Sequence, residues 1–171
     1  MKKYIVAAFL CLLLCAQATA QENRGLSLNA IVEYGSLSYS VRGLGGESDA
    51  FTAIGLQVAH SLTTSWDLVY GLSYAWGRDN SNRRQWRIPT LARFHFLNYF
   101  FVEGGLYFVQ TDQGNLRDKF LFGPGFGVGA AYTFSSGWKV SLRPSAYWAG
   151  LFAKEYSLSQ GGVELGIGYK F

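Results

Sequence analysis

Residues Gly123 to Phe134 read G-P-G-F-G-V-G-A-A-Y-T-F, and the fold turns on how this stretch is taken. So many glycines invite the thought of a phosphate-cradling loop, but their period is two. Gly123, Gly125, Gly127, Gly129, Ala131 and Thr133 alternate with Pro124, Phe126, Val128, Ala130, Tyr132 and Phe134. One face is nearly bare and the other is large and apolar, which is the signature of an extended strand. The steps of three and four that a helix needs are missing.

The same rhythm recurs along the chain. Leu68, Tyr70, Leu72, Tyr74 and Trp76 alternate with Asp67, Val69, Gly71, Ser73 and Ala75. The end repeats it, with Val163, Leu165, Ile167, Tyr169 and Phe171 set against Gly162, Glu164, Gly166, Gly168 and Lys170. Eight such runs are expected, at 25–35, 50–61, 66–77, 86–96, 99–110, 122–134, 138–148 and 161–171. They are long beside a usual soluble strand of ~5–6 residues and match the ~9–11 a tilted strand needs to cross a membrane. Their connections alternate without exception. Leu62 to Ser65, Leu97-Asn98 and Ser135 to Gly137 are tight, while 36–49, 78–85, 111–121 and 149–160 are long and polar. That alternation predicts an all-β, eight-stranded antiparallel up-and-down barrel with turns on one rim and loops on the other.

The first 20 residues read as a cleaved signal peptide. Lys2-Lys3 precede an apolar stretch from Tyr4 to Cys15, and Ala18-Thr19-Ala20 forms a small-residue cleavage site. The apolar stretch is too short for a stable spanning helix, which needs ~20 residues. A lipoprotein reading at Cys15 is opposed by Leu14, which fills a position where a small residue is wanted. Removing 20 of the 171 residues leaves 151, one domain spanning 21–171. Both cysteines, Cys11 and Cys15, lie in the signal, so disulfides and thiolate metal sites are excluded from the mature chain. The formal charge of +4 includes Lys2 and Lys3; the remaining +2 predicts no nucleic-acid partner.

A barrel of this size could carry a ligand in water or sit in lipid, depending on which face points out. Nine charges fall within the strands: Glu33, Asp67, Arg87, Arg93, Glu103, Lys139, Arg143, Glu164 and Lys170. All lie opposite the large apolar residues, as a membrane barrel requires, because Arg or Lys at the lipid midplane costs ~2–4 kcal/mol. The bare glycine face decides the matter. Glycines facing water contribute little to a strand, whereas inside a narrow barrel they make room for long charged side chains. Aromatics gather at both strand ends, Trp66, Tyr99, Trp138 and Tyr169 at one and Tyr34, Trp76, Trp86 and Trp148 at the other. Such groups fit the two headgroup layers of a bilayer.

With signal, eight strands and a terminal Tyr169-Lys170-Phe171, the chain resembles the small outer-membrane β-barrels of Gram-negative bacteria. The resemblance is to the eight-stranded porin-family, outer membrane protein β-barrel domain type of Bacteroidetes-like bacteria, with the outer-membrane protein A and X barrels as architectural cousins. It covers the whole mature chain and implies a place in the outer membrane. It also implies that the alternating end, with Tyr169 and Phe171, is an assembly signal read by the barrel assembly machinery. Outer-membrane lipids and lipopolysaccharide are the other partners expected, and the barrel is expected to be a monomer.

Catalytic chemistry is sparse. Lipid A deacylases of this architecture use a His-x-Ser pair, but His60 is followed by Ser61-Leu62 and His95 by Phe96-Leu97. No nucleophile–base pair, metal cluster or cofactor motif emerges, so no enzyme activity, metal or cofactor is expected. The loops carry mixed charge: Arg42, Arg78, Arg83, Arg84, Arg117, Lys119 and Lys154 against Glu47, Asp49, Asp79, Asp112, Asp118 and Glu155. Arg83-Arg84, with Arg78 near, could meet lipopolysaccharide phosphates, and plain solvation is the simpler reading. Inside, residues of strands four and five whose numbers sum to about 195 should face each other, which brings Arg93 to Glu103. The equivalent value near 308 brings Arg143 to Glu164. These two lumen charge pairs are expected to plug the barrel and support a structural or surface-interaction role. A narrow pore for ions or small solutes is the alternative, and a lipid A or phospholipid hydrolase is a more distant one.

Overall fold

The computed structural model describes residues 25–41, 45–78, 83–112, 119–150 and 156–171, and these form one closed antiparallel barrel. The strands are β1 (Leu26–Val41), β2 (Gly45–Ser61), β3 (Trp66–Gly77), β4 (Arg84–Phe96), β5 (Phe100–Asp112), β6 (Lys119–Thr133), β7 (Trp138–Ala149) and β8 (Tyr156–Lys170). Each pairs with its sequence neighbours, and β1 pairs with β8 to close the ring. No helix among the described residues is long and apolar enough to cross a membrane. The expected signal peptide at 1–20 lies outside the described residues.

Register fixes the bore. From Val32 the pairing runs one way through Ile54, Tyr74 and Trp86 to Gln110, and the other way through Leu165, Leu142 and Ala130 to Phe100. The two routes meet on β5 ten residues apart. A stagger of that size on eight strands gives a tilt of about 40° and an interior that side chains fill.

The turns on the short side have local causes. Thr63 Oγ1 accepts from the amides of Ser65 at 3.2 Å and Trp66 at 3.1 Å, setting the β2–β3 turn. Gly137 supplies φ of +88° at the β6–β7 turn, whereas Leu97 adopts φ of +58° despite its side chain. Proline interrupts two ladders: β3–β4 skips from Tyr70–Thr90 to Ser73–Arg87 around Pro89, and β6–β7 skips from Gly127–Ser145 to Ala130–Leu142 around Pro144.

Outward residues form an apolar belt, including Val32, Ile54, Phe126, Val128, Leu142 and Leu165, all more than 45% exposed. Aromatics bound it at both ends, as Trp66 and Trp76 do on β3. Ten residues at ~3.3 Å rise and about 40° tilt span roughly 25 Å, the height of an outer-membrane apolar belt.

The strands run further on the long side than hydropathy alone suggests. β1 continues to Val41, β2 begins at Gly45 and β8 at Tyr156, so much of 36–49 is strand and not loop. Glu47, Asp49, Arg84, Asp112 and Lys119 accordingly lie on strands and not in loops. Arg42, Asp79, Arg117, Asp118, Lys154 and Glu155 fall outside the described residues. The physical reason is that apolar alternation stops where lipid stops, but backbone pairing does not. Above the belt the outward positions of β1 become Ser36, Ser38 and Ser40, and those of β8 become Ser157 and Ser159.

Candidate functional site

The inward face carries the chemistry. Of the nine charges that the sequence pattern places within strands, eight are buried facing inward, and Lys170 reaches the mouth on the short-turn side. Six of them, Glu33, Arg87, Arg93, Glu103, Arg143 and Glu164, are at most 5% exposed and form a belt of three acids and three bases.

Arg93 and Glu103 face each other across β4–β5, with Nε and Nη2 donating to Oε2 at 2.9 and 2.8 Å. Arg143 and Glu164 face each other across β7–β8 and are ion-paired. Arg143 also donates to Glu103, so one guanidinium joins both pairs. Gln57 donates to Glu164 at 2.9 Å from β2, reaching over the one intervening strand, β1. A second branch starts at Glu33, which takes Arg87 at 2.8 Å and Gln160 at 3.1 Å. Arg87 also donates to Ser73 Oγ at 3.0 Å, and Tyr147 donates to Gln160 at 2.8 Å. Sequence reading brought out the two neighbouring-strand pairs and not the Glu33–Arg87 or Arg143–Glu103 contacts. Glu33–Arg87 joins β1 to β4 through the bore, while Arg143–Glu103 reaches over the bare face of the intervening β6.

The glycine column of β6 is what lets this belt fit. A Cβ on Gly125 would lie 2.5 Å from two ring atoms of Tyr107, and one on Gly129 would lie 2.5 Å from Phe101 Cζ. At Gly127 the nearest side-chain atoms are Glu103 Oε1 at 3.2 Å and Arg143 Cδ at 3.4 Å. Side chains from β5 and β7 thus lean into a slot over the bare face of β6. Tyr107 and Tyr147 stack there with centroids 4.6 Å apart.

Above the belt, Leu37, Phe51, Val109, Leu121, Ala149 and Leu158 make an apolar layer, each at most 6% exposed. Phe51 lies under the Arg87 guanidinium at 5.5 Å. Over this layer, and beyond the upper aromatic ring, Tyr39 donates to Glu47 at 2.6 Å and Arg83 pairs with Glu47. Arg83 also lies 3.5 Å from Asp49 and 4.7 Å from the Tyr39 ring centre. Arg83 is therefore held by the rim and not presented to lipid phosphates; Arg84 faces outward with Asp112 as its register partner. The Tyr39 hydroxyl and then the Arg83 guanidinium hold the Glu47 carboxyl below its usual range.

At the opposite end, His95 and Asp67 pair at 2.7 Å in a vestibule that also contains Lys139 and Lys170. His60 lies on the outward face of β2. No group of three or more potential metal ligands occurs among the described residues.

A closed antiparallel barrel with an apolar belt outside, aromatic rings at both ends and charges inside is a transmembrane β-barrel. The chain belongs to the outer membrane protein beta-barrel domain family, which it matches over residues 6–171. Its place is the outer membrane of a Gram-negative bacterium. Neisserial surface protein A is similar in fold, at a TM-score of 0.60 and 15% identity over 85% of this chain and 97% of that one. Ail, the attachment invasion locus protein of Yersinia pestis, aligns at a TM-score of 0.51 and 14% identity over 86% of this chain and 99% of its own. The same protein in complex with the heparin analogue sucrose octasulfate gives 0.50 and 12% with the same coverage. No curated protein matches the sequence.

Proposed function

We propose that this barrel is a non-enzymatic structural or surface-interaction protein whose lumen is plugged by its own side chains. One observation carries the reading. The ion-paired belt and the apolar layer above it occupy successive levels of a bore only eight strands wide. Ions crossing it would have to displace paired charges and then pass a closely packed level of buried, mostly apolar side chains. The surface role draws support from the β1, β2 and β8 extensions, which lift a serine-rich outer face above the membrane belt. The Ail barrel, similar in fold, has been solved with a heparin analogue bound. Outer-membrane lipids and lipopolysaccharide surround the belt in this reading, and the barrel acts as a monomer.

Single-channel recording of the refolded protein in planar bilayers tests the plug, and no discrete conductance steps are expected. Stable steps that grow when Arg143 is replaced by Ala would establish the narrow-pore alternative instead.

Tyr169 and Phe171 serve in this proposal as the assembly signal for the barrel assembly machinery. Both lie outward at the periplasmic end, with rings 5.2 Å apart, and Phe171 donates its amide to Leu26 O at 2.8 Å. Deleting Phe171 should lower outer-membrane abundance in fractionated cells while export to the periplasm continues. Undiminished abundance would remove that role.

A further inference from the structure

The two mouths of the barrel differ, and the periplasmic one holds a charge that the proposed plug does not use. A cavity of about 360 Å³ opens there. At ~30 Å³ of liquid volume per molecule, that is room for roughly ten waters. The titratable groups around it are Asp67 from β3, His95 from β4, Tyr99 from the β4–β5 turn, Lys139 from β7 and Lys170 from β8; β1, β2 and β6 add only hydroxyls, among them Ser27 and Thr133. Just above the cavity lie Arg93 and Glu103, already engaged with each other.

Asp67 is taken by His95 at 2.7 Å. Lys139 is different. It is only 7% exposed, yet it enters no ion pair or hydrogen bond among the described residues. Asp67 and Glu103 act on it through space, opposed by Arg93 and Lys170. The Lys139 ammonium opens on the cavity, whereas every arginine buried in this lumen has an acid in contact, and an ammonium on a mostly buried stem gains from an anionic partner. Lys170 points the same way. A Cβ on Gly25 would lie 2.8 Å from its Cε and 3.6 Å from its Nζ, so its stem folds over the mouth. Two ammonium groups, one of them at the end of a largely buried side chain, therefore border a small polar cavity whose single lining carboxylate is already occupied.

We propose that the periplasmic mouth binds the oxyanion end of a periplasmic molecule, a carboxylate or a phosphate, between Lys139 and Lys170, with Ser27 and Thr133 donating to its remaining oxygens. Two ammonium donors and neutral hydroxyls suit a compact charged oxyanion, since charge-assisted hydrogen bonds are the strong ones. The ligand reaches the cavity from the periplasm and does not cross the barrel.

The test uses the mature protein refolded in detergent micelles, followed by NMR of the lysine side chains at pH 7 and constant ionic strength. Inorganic phosphate and acetyl-alanyl-alanine are the probes, with acetyl-alanyl-alanine amide as the uncharged control. At least one charged probe should shift the Lys139 and Lys170 signals saturably, and the amide should not. Tighter phosphate binding assigns the site to a phosphate source, and tighter peptide binding to the carboxylate end of a chain. Lys139→Gln and Lys170→Gln should each weaken binding by at least about tenfold, the scale of one charge-assisted hydrogen bond. Arg78→Gln, at the other rim, should leave it unchanged. If Lys139→Gln does not refold, Lys170→Gln alone carries the comparison, because Lys170 is exposed. No response to either probe, or binding undiminished in a folded lysine variant, would overturn the proposal.

Discussion

The mid-lumen belt and the outer rim both contain arginine–glutamate pairs, and they are not equivalent. Glu103 is 5% exposed and serves two guanidinium groups, whereas the Glu47 side chain is 67% exposed and serves one. In the belt, removing an acid leaves a base with no water to turn to. At the rim, water replaces the lost partner at once. Burial sets the cost of breaking a pair, more than the pair's own geometry does.

The largest effect should therefore come from Glu103→Ala, which strands Arg93 and leaves Arg143 with Glu164 alone. Breaking a buried pair costs about 3–5 kcal/mol, and Glu103→Ala belongs at the upper end. Glu164→Ala should cost less, because Arg143 keeps Glu103 and only Gln57 loses its acceptor. Urea unfolding of the refolded barrel, followed by tryptophan fluorescence, ranks the two. Equal midpoints would show that the shared arginine confers nothing.

Gly125→Ala probes the slot and not the charge. Its added methyl meets the Tyr107 ring, and overpacking of this kind costs about 1–3 kcal/mol. The same unfolding series should place it below both glutamate variants. A midpoint equal to wild type would mean that the tyrosine stack has room to move, and the bare face of β6 would lose its explanation.

The smallest effect belongs to Glu47→Gln, and it should depend on pH. The Glu47 carboxyl titrates below its ordinary value of 4.5 in the folded protein, because Tyr39 and Arg83 favour the charged form. A lowered folded value means stability that is present above 4.5 and lost as the pH falls through that lowered value. The small gap between wild type and variant should thus exist at neutral pH and close in acid. A gap that widens on acidification would reverse the sign and undo the contrast between rim and belt.

Strand existence, faces and the two neighbouring-strand pairs were legible because each depends on a period of two and a short or countable connection. Arg93 and Glu103 sum to 196 and Arg143 and Glu164 to 307, each one from the values of 195 and 308 that turn position suggests. The strand ends at the outer rim were not legible. Ser36, Ser38, Ser40, Ser157 and Ser159 look like loop residues because nothing apolar marks their outward face. The contacts between strands that are not neighbours were hidden for another reason. Gln57 meets Glu164 from 107 residues away, and no local pattern encodes that approach.

The seam between β1 and β8 has a consequence for how the barrel comes into being. Seven of the eight ladders join strands adjacent in sequence, so each can zip from a connection outward. The eighth joins Ser27 to Lys170 and runs unbroken to Val41 and Tyr156, with none of the proline gaps found at Pro89 and Pro144. Its loop-closure entropy is the greatest in the molecule, although it grows only slowly with chain length. Until that seam forms, the chain is an open ribbon with two bare edges, and in hydrocarbon each unpaired amide or carbonyl is unfavourable by several kcal/mol. Docking the last strand is therefore the step with the longest reach in the chain, with two long edges to satisfy at once, which makes ring closure the natural rate-setting event of folding.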